Sequence, residues 1–196
     1  HGHLDSLLVK AGSGLVTFGV STSAGIPESF AKETIVLPLD DREELERTLQ
    51  MEAQEIACII IEPIPANNGL LLQERSFLQF VKEKCKEYGV LLIFDEVISG
   101  FRVGFEGAAG YYDVQPDIIT YGKIIGGGMP VGAYGASREI MNNIAPEGKV
   151  YQAGTLSANP VAMAAGKAAL EQLILPGFYE NLEAKTQRFV EQIQHY

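Results

Sequence analysis

Asp95 and Lys123 are the residues whose type and setting could do chemistry. Asp95 closes the apolar run Leu91-Leu92-Ile93-Phe94 and is followed by Glu96 and Val97. Lys123 closes a second apolar stretch, Ile118-Ile119-Thr120-Tyr121-Gly122, and the glycines Gly126, Gly127 and Gly128 come soon after it. Neighbouring strands that end in an acid and a lysine make a small, partly dry site holding two opposite charges. Pyridoxal phosphate needs such a pair: an amine to form the Schiff base, and a carboxylate to keep the pyridinium nitrogen protonated.

Other readings compete with this one. A lysine at a strand end can simply reach solvent. Against that, both flanks of Lys123 are apolar or glycine, and a lysine among apolar neighbours has a depressed pKa and can act as nucleophile and base. A phosphate-binding loop requires Gly-x-x-x-x-Gly-Lys-Ser/Thr, and Ile124 follows Lys123, so that reading is rejected. Asp95 and Glu96 are adjacent and point to opposite faces of a strand, which fits a paired-carboxylate hydrolase poorly. A magnesium-binding acid at Asp95 stays open, without the partner loop it needs. His1 and His3 invite a metal reading, but no acid or cysteine cluster accompanies them. Cys58 reads as a small buried apolar residue and Cys85 lies in a Lys-Glu-rich helical stretch; neither has metal-ligand spacing.

The elements that must position this pair alternate between two periods. Strands are predicted at 34–39, 56–61, 90–94, 117–121 and 131–136. The β-branched run at 56–61 reads as a strand buried on both faces of a parallel sheet. Glu62-Pro63 ends it. Helices are predicted after Asp40-Asp41, with Leu45, Leu49 and Met51 as the buried stripe, and over 76–88, stopped by Gly89. Further helices follow the cap Ser137, the Asn159-Pro160 start and Pro176, the last burying Leu182, Phe189, Val190 and Ile193. Residues 100–112 read as loop with one helical turn. Residues 11–29 are rich in Gly, Ser and Thr but carry Leu15, Val16, Phe18, Val20 and Ile26, too apolar for a solvated linker, and read as a lid. The fold class is α/β, a mostly parallel sheet with flanking helices. Glu62, Asp95 and Lys123 all fall at carboxyl ends of strands, where such sheets bind ligands.

Composition sets the remaining bounds. The chain has 196 residues, enough for one good-sized core. A formal charge of -10 without a basic stripe argues against a nucleic-acid surface. No uninterrupted apolar run reaches the roughly 18 residues of a membrane span. Cysteine usage suggests a reducing, cytoplasmic setting. The chain opens on His1-Gly2-His3 and ends inside an amphipathic pattern, so both ends read as cut from a longer protein.

The pattern Leu-Ile-Phe-Asp-Glu-Val-Ile-Ser-Gly-Phe-Arg at 92–102 and Pro-Asp-Ile-Ile-Thr-Tyr-Gly-Lys-Ile-Ile-Gly-Gly-Gly-Met-Pro-Val-Gly-Ala-Tyr-Gly at 116–135 resembles the class III aminotransferases. His1-Gly2-His3, Lys10-Ala11-Gly12-Ser13-Gly14 and Tyr151-Gln152-Ala153-Gly154-Thr155-Leu156-Ser157 are similar to the branch acting on glutamate-1-semialdehyde. The resemblance implies the large cofactor domain of a fold-type I pyridoxal-phosphate enzyme over 1–175, and a helix at 176–196 leading toward a smaller domain. It implies that Lys123 forms the Schiff base and shuttles protons, that Asp95 pairs with the ring nitrogen and that Val97 packs on one ring face. Asn67 would lie near the ring hydroxyl. Thr155, preceded by Gly154, would reach the cofactor phosphate of a neighbouring subunit, giving a homodimer with shared sites. Ser13 would lie in the gating loop, and Glu62 would be a structural or site-edge acid. The implied reaction moves an amino group within glutamate-1-semialdehyde to give 5-aminolevulinate for tetrapyrrole synthesis. A related aminotransferase with separate donor and acceptor is the alternative. The family's ring-stacking aromatic and its phosphate loop would both lie before His1.

Overall fold

The computed structural model describes residues 4–9, 23–67 and 69–194. His1–Ile56 form one compact unit and Ala57–Tyr196 another. Most of the predicted lid, Ser13 included, and the His1 and His3 pair lie outside the described residues.

The first unit holds a 3-10 turn at Asp5–Leu7 and two helices, α1 (Glu28–Ala31) and α2 (Arg42–Glu52). The α2 start is as expected: the Asp41 side chain accepts the Glu44 N–H at 2.9 Å, removing one of the orphan donors of the first turn. Leu45 and Leu49 are buried one turn apart, with Thr48 beside them. Met51 does not join this stripe and is 71% exposed. The strand expected at 34–39 does not form. The Thr34 hydroxyl instead donates to the Ser6 carbonyl at 2.6 Å, and no strand pairs with this segment among the described residues.

The second unit is built on a four-stranded sheet, β1 (Cys58–Ile61), β2 (Leu91–Asp95), β3 (Ile118–Tyr121) and β4 (Ala133–Ala136), in that spatial order. β1, β2 and β3 run parallel, and β4 returns antiparallel to β3. The helix α3 (Arg75–Tyr88) carries the chain from β1 back to β2, as a parallel pair requires. It buries Phe77, Leu78, Val81 and Cys85 beneath Leu92 and Phe94 of β2. Gly89 ends it at φ +71°, donating its N–H to the Cys85 carbonyl. Burial pushes the Cys85 thiol up to about 12, so it is an inert core group.

β1 departs from the reading of a strand buried on both faces. Cys58 is exposed and Ile60 is 47% exposed. Among the described residues β1 ends the row of strands and has a neighbour on one side only. Burial on β2 alternates: Leu92 and Phe94 are fully buried, whereas Leu91 on the other face is exposed.

The helix α4 (Gly107–Tyr112) replaces the single helical turn expected in that loop, and α5 (Arg138–Met141) is capped by Ser137 as expected. Asn159 caps α6 (Pro160–Leu173) by accepting the Val161 and Ala162 N–H groups at 3.0 and 3.3 Å. The last helix, α7 (Phe178–Ile193), starts after Gly177 rather than at Pro176. Its expected inner stripe is not buried: Leu182, Phe189 and Ile193 are all exposed, because among the described residues little packs on α7.

Candidate active site

The register of the sheet decides where the site residues meet. Ile61 pairs with Phe94, so Glu62 stands level with Asp95 at the next position. Asp95 pairs with Thr120. Residues opposite one another in a ladder share a face, so Glu62, Asp95 and Thr120 form a row across three carboxyl ends. The Thr120 hydroxyl donates to Asp95 Oδ1 at 3.4 Å, and Val97 donates its backbone N–H to the same oxygen at 3.0 Å. Both bonds fall on Oδ1, and Oδ2 makes no hydrogen bond among the described residues.

Lys123 opens a 3-10 turn (Lys123–Gly126) directly after β3. Its φ is +47°, a left-handed conformation that costs a residue with a Cβ roughly 1–3 kcal/mol and tends to persist at functional sites. No local pattern of residues signals this conformation. The turn is seated against α6. A Cβ on Gly166 of α6 would strike the Ile125 carbonyl, and one on Gly127 would strike the Ala165 carbonyl. Gly122 is buried beside Val97, whose Cγ1 would lie 3.2 Å from a Cβ at that position. Val97 thus bridges the end of β2 and the approach to Lys123.

Electrostatics ties the row together. The Glu62 carboxyl is held above the usual carboxylate range, first by burial and then by the negative charge of Asp95. Lys123 and the Ala66 N–H pull it back down, which places an acid, a second acid and an amine within reach of one another. The expectation of a desolvated amine is corrected: Lys123 is exposed.

Other predicted residues stand apart. Asn67 is exposed in the loop after β1. Gly154 and Thr155 lie in the exposed segment before α6, where Ser157 donates its N–H to the Gly154 carbonyl at 2.9 Å. The Thr155 side chain makes no hydrogen bond among the described residues. Sequence reasoning gave Glu96 no role beyond facing away from Asp95, whereas it is fully buried and hydrogen-bonded. Among the described residues no cluster of His, Cys, Asp and Glu could hold a metal ion, and no helix is long and apolar enough to cross a membrane.

An acid with one free carboxylate oxygen and an amine beyond the neighbouring strand are the donor set that a pyridine ring with an aldehyde requires. The family model for class III aminotransferases matches residues 1–196. The chain belongs to the class III aminotransferases. It is similar to an omega-transaminase from Sphaerobacter thermophilus, at 36% identity and a TM-score of 0.84, over 91% of this chain and 41% of that one. It is also similar to a transaminase with pyridoxal phosphate bound, at 36% identity and a TM-score of 0.81, over 90% of this chain and 42% of the other. An ornithine aminotransferase from Plasmodium yoelii matches at 34% identity and a TM-score of 0.71, over 82% and 42%. This class III chain therefore spans about two-fifths of the length of the solved relatives it matches.

Proposed function

We propose that the full-length protein transfers amino groups with pyridoxal phosphate, and that its reaction is the conversion of glutamate-1-semialdehyde to 5-aminolevulinate. The observation that carries the cofactor reading is the row Glu62, Asp95, Thr120 at three strand ends, with Lys123 just beyond. The substrate reading rests on the Lys10–Gly14 loop and the Tyr151–Ser157 stretch, which are similar to the aminomutase branch.

Bound pyridoxal phosphate supplies an electron sink for negative charge developing on a substrate carbon. Asp95 offers Oδ2 to the ring nitrogen and holds a proton there, while Val97 N–H and Thr120 keep Oδ1 fixed. The Lys123 amine would hold the cofactor and would carry a proton between two substrate carbons. Val97 would pack on a ring face, and Asn67 would lie near the ring hydroxyl. Gly154 and Thr155 serve the phosphate of a second subunit, which makes the protein a homodimer. Glu62 sits at the site edge. The segment carrying Ser13, which lies outside the described residues, would correspond by resemblance to the family's gating loop. Residues 1–175 belong to the large domain, and 176–196 lead to a smaller one.

The test is 5-aminolevulinate formation by the full-length protein from glutamate-1-semialdehyde with no added amino acceptor. Product under those conditions supports the aminomutase. Solved relatives at 34–36% identity that are transaminases favour a second reading, a transaminase with separate donor and acceptor. Turnover only when a keto acid is added selects it.

A further inference from the structure

Glu96, the residue directly after β2, is a completely buried acid. Its carboxylate accepts the Ala108 N–H at 2.6 Å on Oε2 and the Ala109 N–H at 2.9 Å on Oε1, and the Ser99 hydroxyl lies 3.2 Å from Oε2. Ala108 and Ala109 are in the first turn of α4, whose N–H groups have no partner within the helix, and the residue before α4 supplies no side-chain cap. Glu96 therefore caps a helix that starts eleven residues further along the chain. The close approach needs Gly107. That residue has φ +63°, and a Cβ on it would strike the Glu96 carboxylate.

The main chain of Glu96 is held as firmly. Its N–H donates to the Thr120 carbonyl at 3.0 Å, and its carbonyl accepts the Gly100 N–H at 2.9 Å. Glu96 thus joins β3, the turn at 97–100 and α4 in one place, between Asp95 and Val97. The Val97 N–H that orients the Asp95 carboxylate leaves directly from this anchored residue.

We propose that Glu96 is a positioning residue: by clamping the start of α4 to the end of β2, it fixes the Val97 amide and through it the Asp95 carboxylate. The proposal rests on the cofactor reading above. Neutral glutamine is nearly the same size, but its NH2 must face one of two N–H donors, so Glu96→Gln opens the clamp without emptying the core.

The experiment compares full-length wild type, E96Q, D95N and the double variant. It measures pyridoxal phosphate dissociation constants, and amide exchange over 97–109 in the cofactor-free protein. E96Q is expected to exchange faster there and to bind pyridoxal phosphate about tenfold more weakly, the scale on which groups that orient a ligating side chain act. In the D95N background, E96Q is expected to change the affinity by less than about twofold, because the residue it acts through is already altered. An equal loss in both backgrounds overturns the proposal, as does faster exchange with unchanged affinity. If E96Q does not fold, Ser99→Ala decides: an affinity loss of about two- to fivefold, the worth of one hydrogen bond, that disappears in D95N supports it, and no loss overturns it. Wild type that binds no pyridoxal phosphate is a separate result; it removes the cofactor reading and this proposal together.

Discussion

The Val97 N–H and the Asp95 carboxylate meet at 3.0 Å across a single intervening residue. The contact closes a tight turn at the end of β2, and it uses only Oδ1. Oδ2 makes no hydrogen bond among the described residues. Asparagine in place of Asp95 would keep its oxygen on Val97 and present NH2 where the ring nitrogen needs an acceptor. Asp95→Asn is expected to lower kcat of the full-length enzyme by about 10²–10⁴-fold, the range for a lost proton-holding group, with far-ultraviolet circular dichroism unchanged. A loss under tenfold would show that Asp95 does not serve the ring.

Gly166 lets α6 touch the turn that carries Lys123. Alanine there gains helix propensity but drives a methyl into the Ile125 carbonyl. Gly166→Ala is expected to cost about 1–3 kcal/mol, as overpacking does, and to lower kcat by displacing Lys123. Urea unfolding and steady-state kinetics read the two effects. Unchanged stability would mean that α6 does not seat the turn.

Glu62 makes stability depend on pH. Its pKa is raised in the folded state, chiefly by burial and then by Asp95, so the fold holds its proton more tightly than the unfolded chain does. This contribution is fully present below the unfolded value of about 4.3 and is lost as pH rises through the folded pKa. Glu62→Gln removes the loss. In the cofactor-free protein, the stability of E62Q relative to wild type is expected to increase from pH 4 to pH 7 in urea titrations. A constant difference would contradict the crowding of the two acids.

Asp117 has the opposite sign. Burial alone would raise its pKa, but the Lys82 amine at 2.7 Å and the Leu92 N–H at 2.8 Å outweigh it and hold it below the usual range. Its contribution is present above the unfolded value of about 3.9 and fades as pH falls through the lowered folded value. Asp117→Asn is expected to cost about 1–2 kcal/mol at pH 7, the scale for a hydrogen bond to a charged group. The cost should shrink in acid, as measured by thermal unfolding at pH 7 and pH 3.

Local signals in the chain proved readable. Asp41, Ser137 and Asn159 cap their helices because a short polar side chain can reach its own backbone without help from the rest of the fold. The three parallel strands followed from β-branched runs, and their ends placed Glu62, Asp95 and Lys123 together. What escaped depends on distant partners. Residues 34–39 have strand-like composition but no neighbouring strand among the described residues. Leu182, Phe189 and Ile193 have helical spacing but no packed surface to face among the described residues. The left-handed φ of Lys123 and the Glu96 clamp, which needs a glycine eleven residues away, have no local period.

The most direct measurement is covalent. The full-length protein is incubated with pyridoxal phosphate, reduced with borohydride and digested, and the pyridoxyl-bearing peptide is located by mass spectrometry. The label is predicted on Lys123 and absent from Lys123→Ala. A label on any other lysine, or none, would contradict a cofactor site between Asp95 and Lys123.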